Sequence, residues 1–296
     1  MRKILLLAAA WALASCGPAF AEGACKLSRV ASLPTTLDTQ GGVTIPVSAG
    51  GQPLIFGVHT QSSISVLSQA VVDKLALSRY TADWMTMTYG GEKLNHYVIL
   101  KDLQIGTLPI KDAQLYTAPA AVMPFHLSAI LGQDFLGKFD LDFDFAHAAL
   151  NLFAREHCEN QVIYWTKGPA AMVPFSHDYG GRFFIMVELD GKPVEAYLDT
   201  GYSRSVLTLG ASERLFGLTK TSPGVTPVGG VTSDDEAYRY AFKSLTFAGA
   251  AVNNPDITLL PGNGDSLSIG MDVLSRLHVY VDYSDKSIFL TGASAH

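Results

Sequence analysis

The stretch Val194-Glu195-Ala196-Tyr197-Leu198-Asp199-Thr200-Gly201-Tyr202-Ser203-Arg204-Ser205-Val206-Leu207 decides how this chain is read. Val194, Ala196 and Leu198 alternate as in a half-buried strand, and the strand runs into Asp199-Thr200-Gly201. A strand end fixes the position of a carboxylate. The hydroxyl beside it can bond across to a facing loop, and the glycine admits another backbone at close range. These three residue types in this order suit a catalytic loop.

The chain says this twice. Gly51 to Leu67 lies over Gly191 to Leu207 at an offset of 140 with no gap, matching Pro53 to Pro193, Thr60 to Thr200, and Ser65-Val66-Leu67 to Ser205-Val206-Leu207. Each copy continues through a short helix (Ser68 to Leu75, Leu209 to Leu215) to a Gly-Gly pair in a strand-like run, Tyr89-Gly90-Gly91 and Val228-Gly229-Gly230. Each ends in a second block, Leu131-Gly132-Gln133-Asp134-Phe135-Leu136 over Ile269-Gly270-Met271-Asp272-Val273-Leu274, at an offset of 138. A period this long means two copies of one domain. Short alternating runs rich in Val, Thr, Tyr and Phe, with no sustained helical period, predict a mostly β chain.

The Asp-Thr-Gly loop followed by Ser and an apolar pair, the Gly-Gly hairpin and the late apolar-Gly block together resemble the retropepsin-like and pepsin-like aspartic proteases. The resemblance spans roughly residues 40–153 and 180–291. It implies an all-β fold of two homologous lobes with a cleft between them, residues 25–158 and 159–296, joined by a linker near residues 156–169. It also implies a peptide or protein substrate, catalysis at Asp199, Thr200 and Gly201 with the facing loop, and flaps at Tyr89, Gly90 and Gly91 and at Gly229 and Gly230. No cofactor is expected, and no His, Cys or Glu spacing resembles a metal site.

The first copy departs from the family at the decisive place. His59-Thr60-Gln61 stands where Asp-Thr-Gly belongs. Two facing acids share one proton, because like charges that close cannot both ionise. An imidazole opposite Asp199 removes that logic and predicts an ordinary ionised carboxylate within hydrogen-bonding reach of His59. Three readings follow: an exported endopeptidase in which Asp199 activates water and protonated His59 polarises the carbonyl; an inactive peptide-binding relative; or pairing of the Asp199 loops of two molecules. Thr60 and Thr200 are both present, and the resemblance implies that they bond across the lobe interface, so that the two loops still meet. Asp38-Thr39 offers no substitute acid. At the repeat offset it falls on Asp178, one hairpin upstream, and reads as a turn residue. Asp134, Asp144, Asp272 and Asp282 recur in both copies and read as caps or turns. His177 and His278 have no partner at readable spacing, and Asp234-Asp235-Glu236 reads as a solvated loop.

The 296 residues are 48% hydrophobic and 16% charged, with a net charge of −6, which supplies a large core and no basic stripe for nucleic acid. Met1-Arg2-Lys3 followed by the apolar run Ile4 to Leu13 reads as a targeting signal, too short to span a bilayer. Ala19-Phe20-Ala21 gives a signal peptide of residues 1–21, whereas Leu13-Ala14-Ser15-Cys16 is a lipobox that would lipidate Cys16 and anchor the chain to a membrane. Both patterns predict a bacterial protein that is periplasmic, secreted or an outer-membrane lipoprotein, and the two-lobe reading predicts a monomer. Export leaves Cys25 and Cys158 as an even pair in an oxidising compartment, which predicts a disulfide.

Overall fold

The repeat seen in the sequence pairs with itself across the middle of a sheet. The computed structural model describes residues 26–82, 87–124, 126–159, 161–228 and 236–293, and it is predominantly β, as expected. Six neighbouring strands run in the order Arg29–Pro34, Ala149–Phe153, Asp140–Asp144, Leu277–Asp282, Ser287–Gly292, Ala171–His177. The first three come from the first half of the chain and the last three from the second.

At the centre Asp140–Asp144 runs antiparallel to Leu277–Asp282, pairing Leu141 with Val281, Asp142 with Tyr280 and Phe143 with Val279. Asp142 and Tyr280 differ by the repeat offset of 138, so each residue faces its own equivalent. A pseudo-two-fold axis therefore passes through that pair. The flanking registers obey the same symmetry: Leu33 opposite Leu150 recurs as Val173 opposite Ile288.

Because side chains alternate along a strand, the central sheet has two distinct faces. Leu141, Phe143, Val279 and Val281 point into the main core. The other face presents Asp140, Asp142, His278, Tyr280 and Asp282, all buried as well. Much of that burial is offset by bonds among these groups and to the covering chain, although the Tyr280 hydroxyl, His278 Nδ1 and Asp282 Oδ2 make no hydrogen bond among the described residues. His278 Nε2 lies 2.5 Å from Asp142, and Asn151 Nδ2 donates to the same carboxylate at 2.8 Å. Tyr164 donates to it too.

Residues 161–166, expected to be part of a linker, form that cover. Val162 is fully buried, Trp165 stacks flat on His278 with ring centroids 4.4 Å apart, and its Nε1 donates to Thr291 Oγ1 at 3.0 Å. His278 is thus partnered by groups from distant parts of the chain, contrary to the expectation from local spacing.

Each half then builds its loop in the same way. In the first, the hairpin Val43–Ala49 and Gln52–Val58 leads to residues 59–61, and Ala129–Leu131 inserts parallel to Gln52–Val58 and antiparallel to Val66–Ser68. In the second, Phe183–Leu189 and Lys192–Leu198 lead to residues 199–201, and Leu267–Ile269 inserts between Lys192–Leu198 and Val206–Thr208. The inserted strand ends in glycine for a steric reason. A Cβ on Gly132 would lie 2.5 Å from the backbone of Ile64, and one on Gly270 would lie 2.4 Å from that of Arg204. Ser65 and Ser205 lock these crossings, each donating to the following helix's Asp134 or Asp272 at 2.6 Å and accepting from Gly132 or Gly270 at 3.0 Å. Those two aspartates are structural, as expected, and Asp144 accepts from the His147 N–H of a following turn at 3.1 Å.

Candidate active site

The strand Lys192–Leu198 delivers Asp199, and Gln52–Val58 delivers His59, at equivalent ends of the repeated hairpin. The inserted strands hold them there: Ile269 O accepts the Asp199 N–H at 2.8 Å, and Leu131 O accepts that of His59 at 3.0 Å. The loops meet through their threonines. Thr60 N–H donates to Thr200 Oγ1 and Thr200 N–H to Thr60 Oγ1, each at 3.2 Å. The hydroxyls continue outward, Thr60 Oγ1 to Leu198 O and Thr200 Oγ1 to Val58 O, each at 2.5 Å. All four donors and acceptors are buried, so this reciprocal lattice both closes the site and removes its unpaired polar groups.

Asp199 is 3% exposed, and burial raises its pKa from 3.8 to about 6. Two bonds oppose the shift. Oδ1 accepts the Gly201 N–H at 2.9 Å, and the Ser268 hydroxyl lies 3.4 Å from Oδ2. The same hydroxyl is 3.2 Å from Gln61 Oε1 and has one proton to give, so Gln61 competes with Asp199 for it. The loss of glycine at position 61 therefore brings a polar side chain into the site. Ser268 was not singled out from sequence; its signal is its place beside Tyr197 in the inserted strand, two residues before Gly270.

His59 departs from expectation. It shares neither a hydrogen bond nor an ion pair with Asp199. Its ring lies against Gly201, where a Cβ would come 2.4 Å from Nδ1, so the glycine of the intact loop makes room for the imidazole of the altered one. Nε2 is buried without a partner on the side of Gly57, where an added Cβ would sit 3.0 Å away. Burial lowers the His59 pKa from 6.5 to about 4, partly opposed by Asp38. His59 is charged only below about pH 4 and Asp199 only above about pH 6, so the expected imidazolium–carboxylate pair does not form. Burial is the largest influence on each group and keeps both neutral between those values.

Asp38 is the turn residue its sequence position suggested. Its Oδ1 accepts from the N–H groups of Gln40 and Gly42 at 2.7 and 2.9 Å, as Asp178 accepts from Gly180 and Arg182 at 2.8 and 3.0 Å. Oδ2 of Asp38 lies 3.1 Å from His126 Nε2.

A cavity of about 780 Å³ opens above these groups, with His59, Gln61, Tyr89, Gly90, Asp199 and Tyr202 among its lining. The segment expected to be the first flap is a two-stranded hairpin, Met87–Tyr89 with Glu92–Leu94, turned at Gly90 and Gly91 with φ of 56° and 83°. Such φ values at both central positions favour glycine. Burial, Tyr202 and Asp199 all push the Tyr89 hydroxyl pKa upward, so it stays a neutral hydrogen-bonding group. Gly229 and Gly230 lie outside the described residues, as do Asp234 and Asp235; the flanking strands Thr226–Val228 and Ala237–Ala241 pair antiparallel. Cys158 is disulfide-bonded. Its expected partner Cys25, the lipidation candidate Cys16 and the signal segment all fall outside the described residues.

A family model described as aspartyl protease matches residues 185–273, a span that holds Asp199-Thr200-Gly201 and the late apolar-Gly block of the second half. Among solved structures, conglutin gamma, a basic 7S globulin from lupine seeds, aligns at a TM-score of 0.53 with 12% identity, over 90% of this chain and 95% of that one. At that identity the likeness concerns fold alone, and it extends over both halves. No curated protein matches. The family match supports an aspartic-peptidase-like function in general terms.

Proposed function

We propose that this chain is an exported aspartic-type peptidase homologue that takes an extended peptide in the cavity above Asp199, with Asp199 the group acting on the bound peptide. The observation that carries the reading is a buried carboxylate at the cavity floor, held by the reciprocal threonine bonds and raised to about pKa 6. Below that pH its proton can be donated to a peptide carbonyl; above it the carboxylate can take a proton from water. A dyad divides these two roles between two acids, whereas one carboxylate alternates between them.

The same proposal takes residues 1–21 as the signal peptide, or Cys16 as a lipidated terminus, and residues 25–158 and 159–296 as two lobes of a monomer. Cys25 is then the partner of Cys158.

A second reading, peptide binding without hydrolysis, is favoured by the orientation of His59. Its unpartnered Nε2 is turned toward Gly57, and it is neutral above about pH 4. In that position it does not supply the second catalytic role.

The test is incubation of the mature protein with casein and a mixed peptide library between pH 4 and 8. Cleavage abolished by Asp199→Asn supports the peptidase. Retention of peptides with no cleavage supports the binding protein, and His59→Asp with Gln61→Gly then shows whether a restored dyad cuts. Neither cleavage nor retention refutes both.

A further inference from the structure

On the buried polar face of the central sheet, remote in sequence from Asp199, three side chains converge from three parts of the chain. Asp140 opens the strand Asp140–Asp144, Asp282 closes the strand Leu277–Asp282, and His157 reaches down from the end of the first half. His157 Nε2 lies 2.8 Å from Asp140 Oδ2 and 3.4 Å from Asp282 Oδ1, with all three side chains 1% exposed or less.

The directions of the hydrogen bonds matter more than the distances. His157 Nδ1 is 3.0 Å from the Cys158 carbonyl, which can only accept. The Nδ1 proton is therefore committed there, and a neutral ring presents a lone pair at Nε2. Asp140 Oδ1 is occupied by the Tyr283 N–H at 2.8 Å, and Asp282 Oδ1 by the Asp285 N–H at 2.9 Å. On the Asp282 carboxyl, Oδ2 is buried with no partner at all. The hydroxyl of Tyr280, within electrostatic reach of both aspartates, is likewise buried and unpartnered. Backbone donors hold the outside of the cluster, and within it the proton shared between His157 Nε2 and Asp140 Oδ2 is the one a cation would displace.

We propose that Asp140, His157 and Asp282 bind a divalent transition cation, zinc first among them, as a structural site pinning the covering segment to the central sheet. One ligand atom from each residue can be chosen so that all lie within 4.8 Å of one another. Bonds of about 2.0–2.2 Å in a tetrahedral arrangement need ligand separations of roughly 3.3 Å, so the imidazole–Asp282 distance of 3.4 Å already fits and the imidazole–Asp140 contact of 2.8 Å must open by about half an ångström. Imidazole with two carboxylates suits zinc or manganese, whereas calcium wants six or more oxygens. The Nδ1–carbonyl bond is the orienting contact that metal-bound histidines commonly carry. Local motifs hide such a site, because its members stand at positions 140, 157 and 282.

The experiment uses tag-free full chain, stripped with a chelator, dialysed and titrated with zinc at pH 7.5. One zinc per chain is expected, with the melting temperature raised by about 5–10 °C at a hundredfold excess over Kd. Cobalt substitution of the wild type is expected to give visible absorption of a tetrahedral nitrogen–oxygen site, a readout that needs no variant. His157→Gln and Asp282→Asn should each lose the zinc-dependent rise by at least half while keeping the β circular dichroism of the stripped wild type. Failure to retain zinc, a featureless cobalt spectrum, or equal zinc stabilisation of folded variants and wild type would overturn the assignment.

Discussion

Replacing Asp199 by Asn removes one titration and leaves the surroundings nearly isosteric. In the folded chain the Asp199 carboxyl titrates near 6, against 3.8 for an exposed carboxyl. Protonation is therefore favoured by folding, and the associated stability is fully present below pH 3.8 and lost as pH rises through 6. That interval, at about 1.36 kcal/mol per pH unit, is worth about 3 kcal/mol. His59 runs the other way. Its folded pKa is depressed from 6.5 to about 4, so its contribution is present above pH 6.5 and lost as pH falls through 4. In the wild type the two slopes largely cancel between pH 4 and 6. In Asp199→Asn the His59 slope stands alone, and it drops out of the difference between the two proteins. Urea denaturation of both proteins, at half-unit steps from pH 3.5 to 8, reads that difference directly. The Asn variant should be more stable by about 3 kcal/mol at pH 7.5, converging on the wild type near pH 4. A difference that stays flat across this range would mean that Asp199 is not the desolvated carboxyl described above.

The threonine lattice makes its own forecast: Thr60→Val or Thr200→Val strands a buried N–H and a buried carbonyl, costing about 2–4 kcal/mol in urea denaturation. The double variant should cost less than the sum of the two, and strict additivity would show that the four bonds are independent. Gly201→Ala places a methyl against the His59 ring and should destabilise by about 1–3 kcal/mol, a loss largely relieved in Gly201→Ala with His59→Ala; no relief would mean the ring is not the obstacle. For the cysteines, a non-reduced digest of mature secreted protein should yield one linked peptide pair containing Cys25 and Cys158. Separately alkylated peptides would exclude the bridge.

Much of the fold was legible because the sequence repeats in a fixed register. Pairing Asp-Thr-Gly with His-Thr-Gln at one offset, and the two apolar-Gly blocks at another, predicts which strand ends meet, and the reciprocal Thr60 and Thr200 bonds are those strand ends. The same offset exposed Asp38 as a turn residue. What stayed hidden depended on depth and direction. Opposite charge types at positions 59 and 199 suggested an ion pair, but only the folded structure shows that burial shifts each group toward its neutral form. Tyr164 and Trp165 sat in what composition marked as a linker, and their hydrogen bonds to the central sheet span 22 and 126 positions. His278 illustrates the same limit: its partner Asp142 is 136 residues earlier.

The self-paired centre of the sheet also sets a timetable for synthesis. The strand Asp140–Asp144 acquires its inner neighbour only when Leu277–Asp282 arrives, and Leu277 follows Asp144 by 133 residues. At roughly 5–20 residues per second, translation leaves that edge open for about 7–27 s. An open edge is a template for any other strand, including the same segment of a neighbouring nascent chain. Two features reduce the hazard. Asp140, Asp142 and Asp144 place a carboxylate at every second position along the waiting strand, and like charges in register repel a second copy. The true partner brings Tyr280 opposite Asp142 and His278 opposite Asp144. Correct closure therefore rewards the chain's own second half over a stranger.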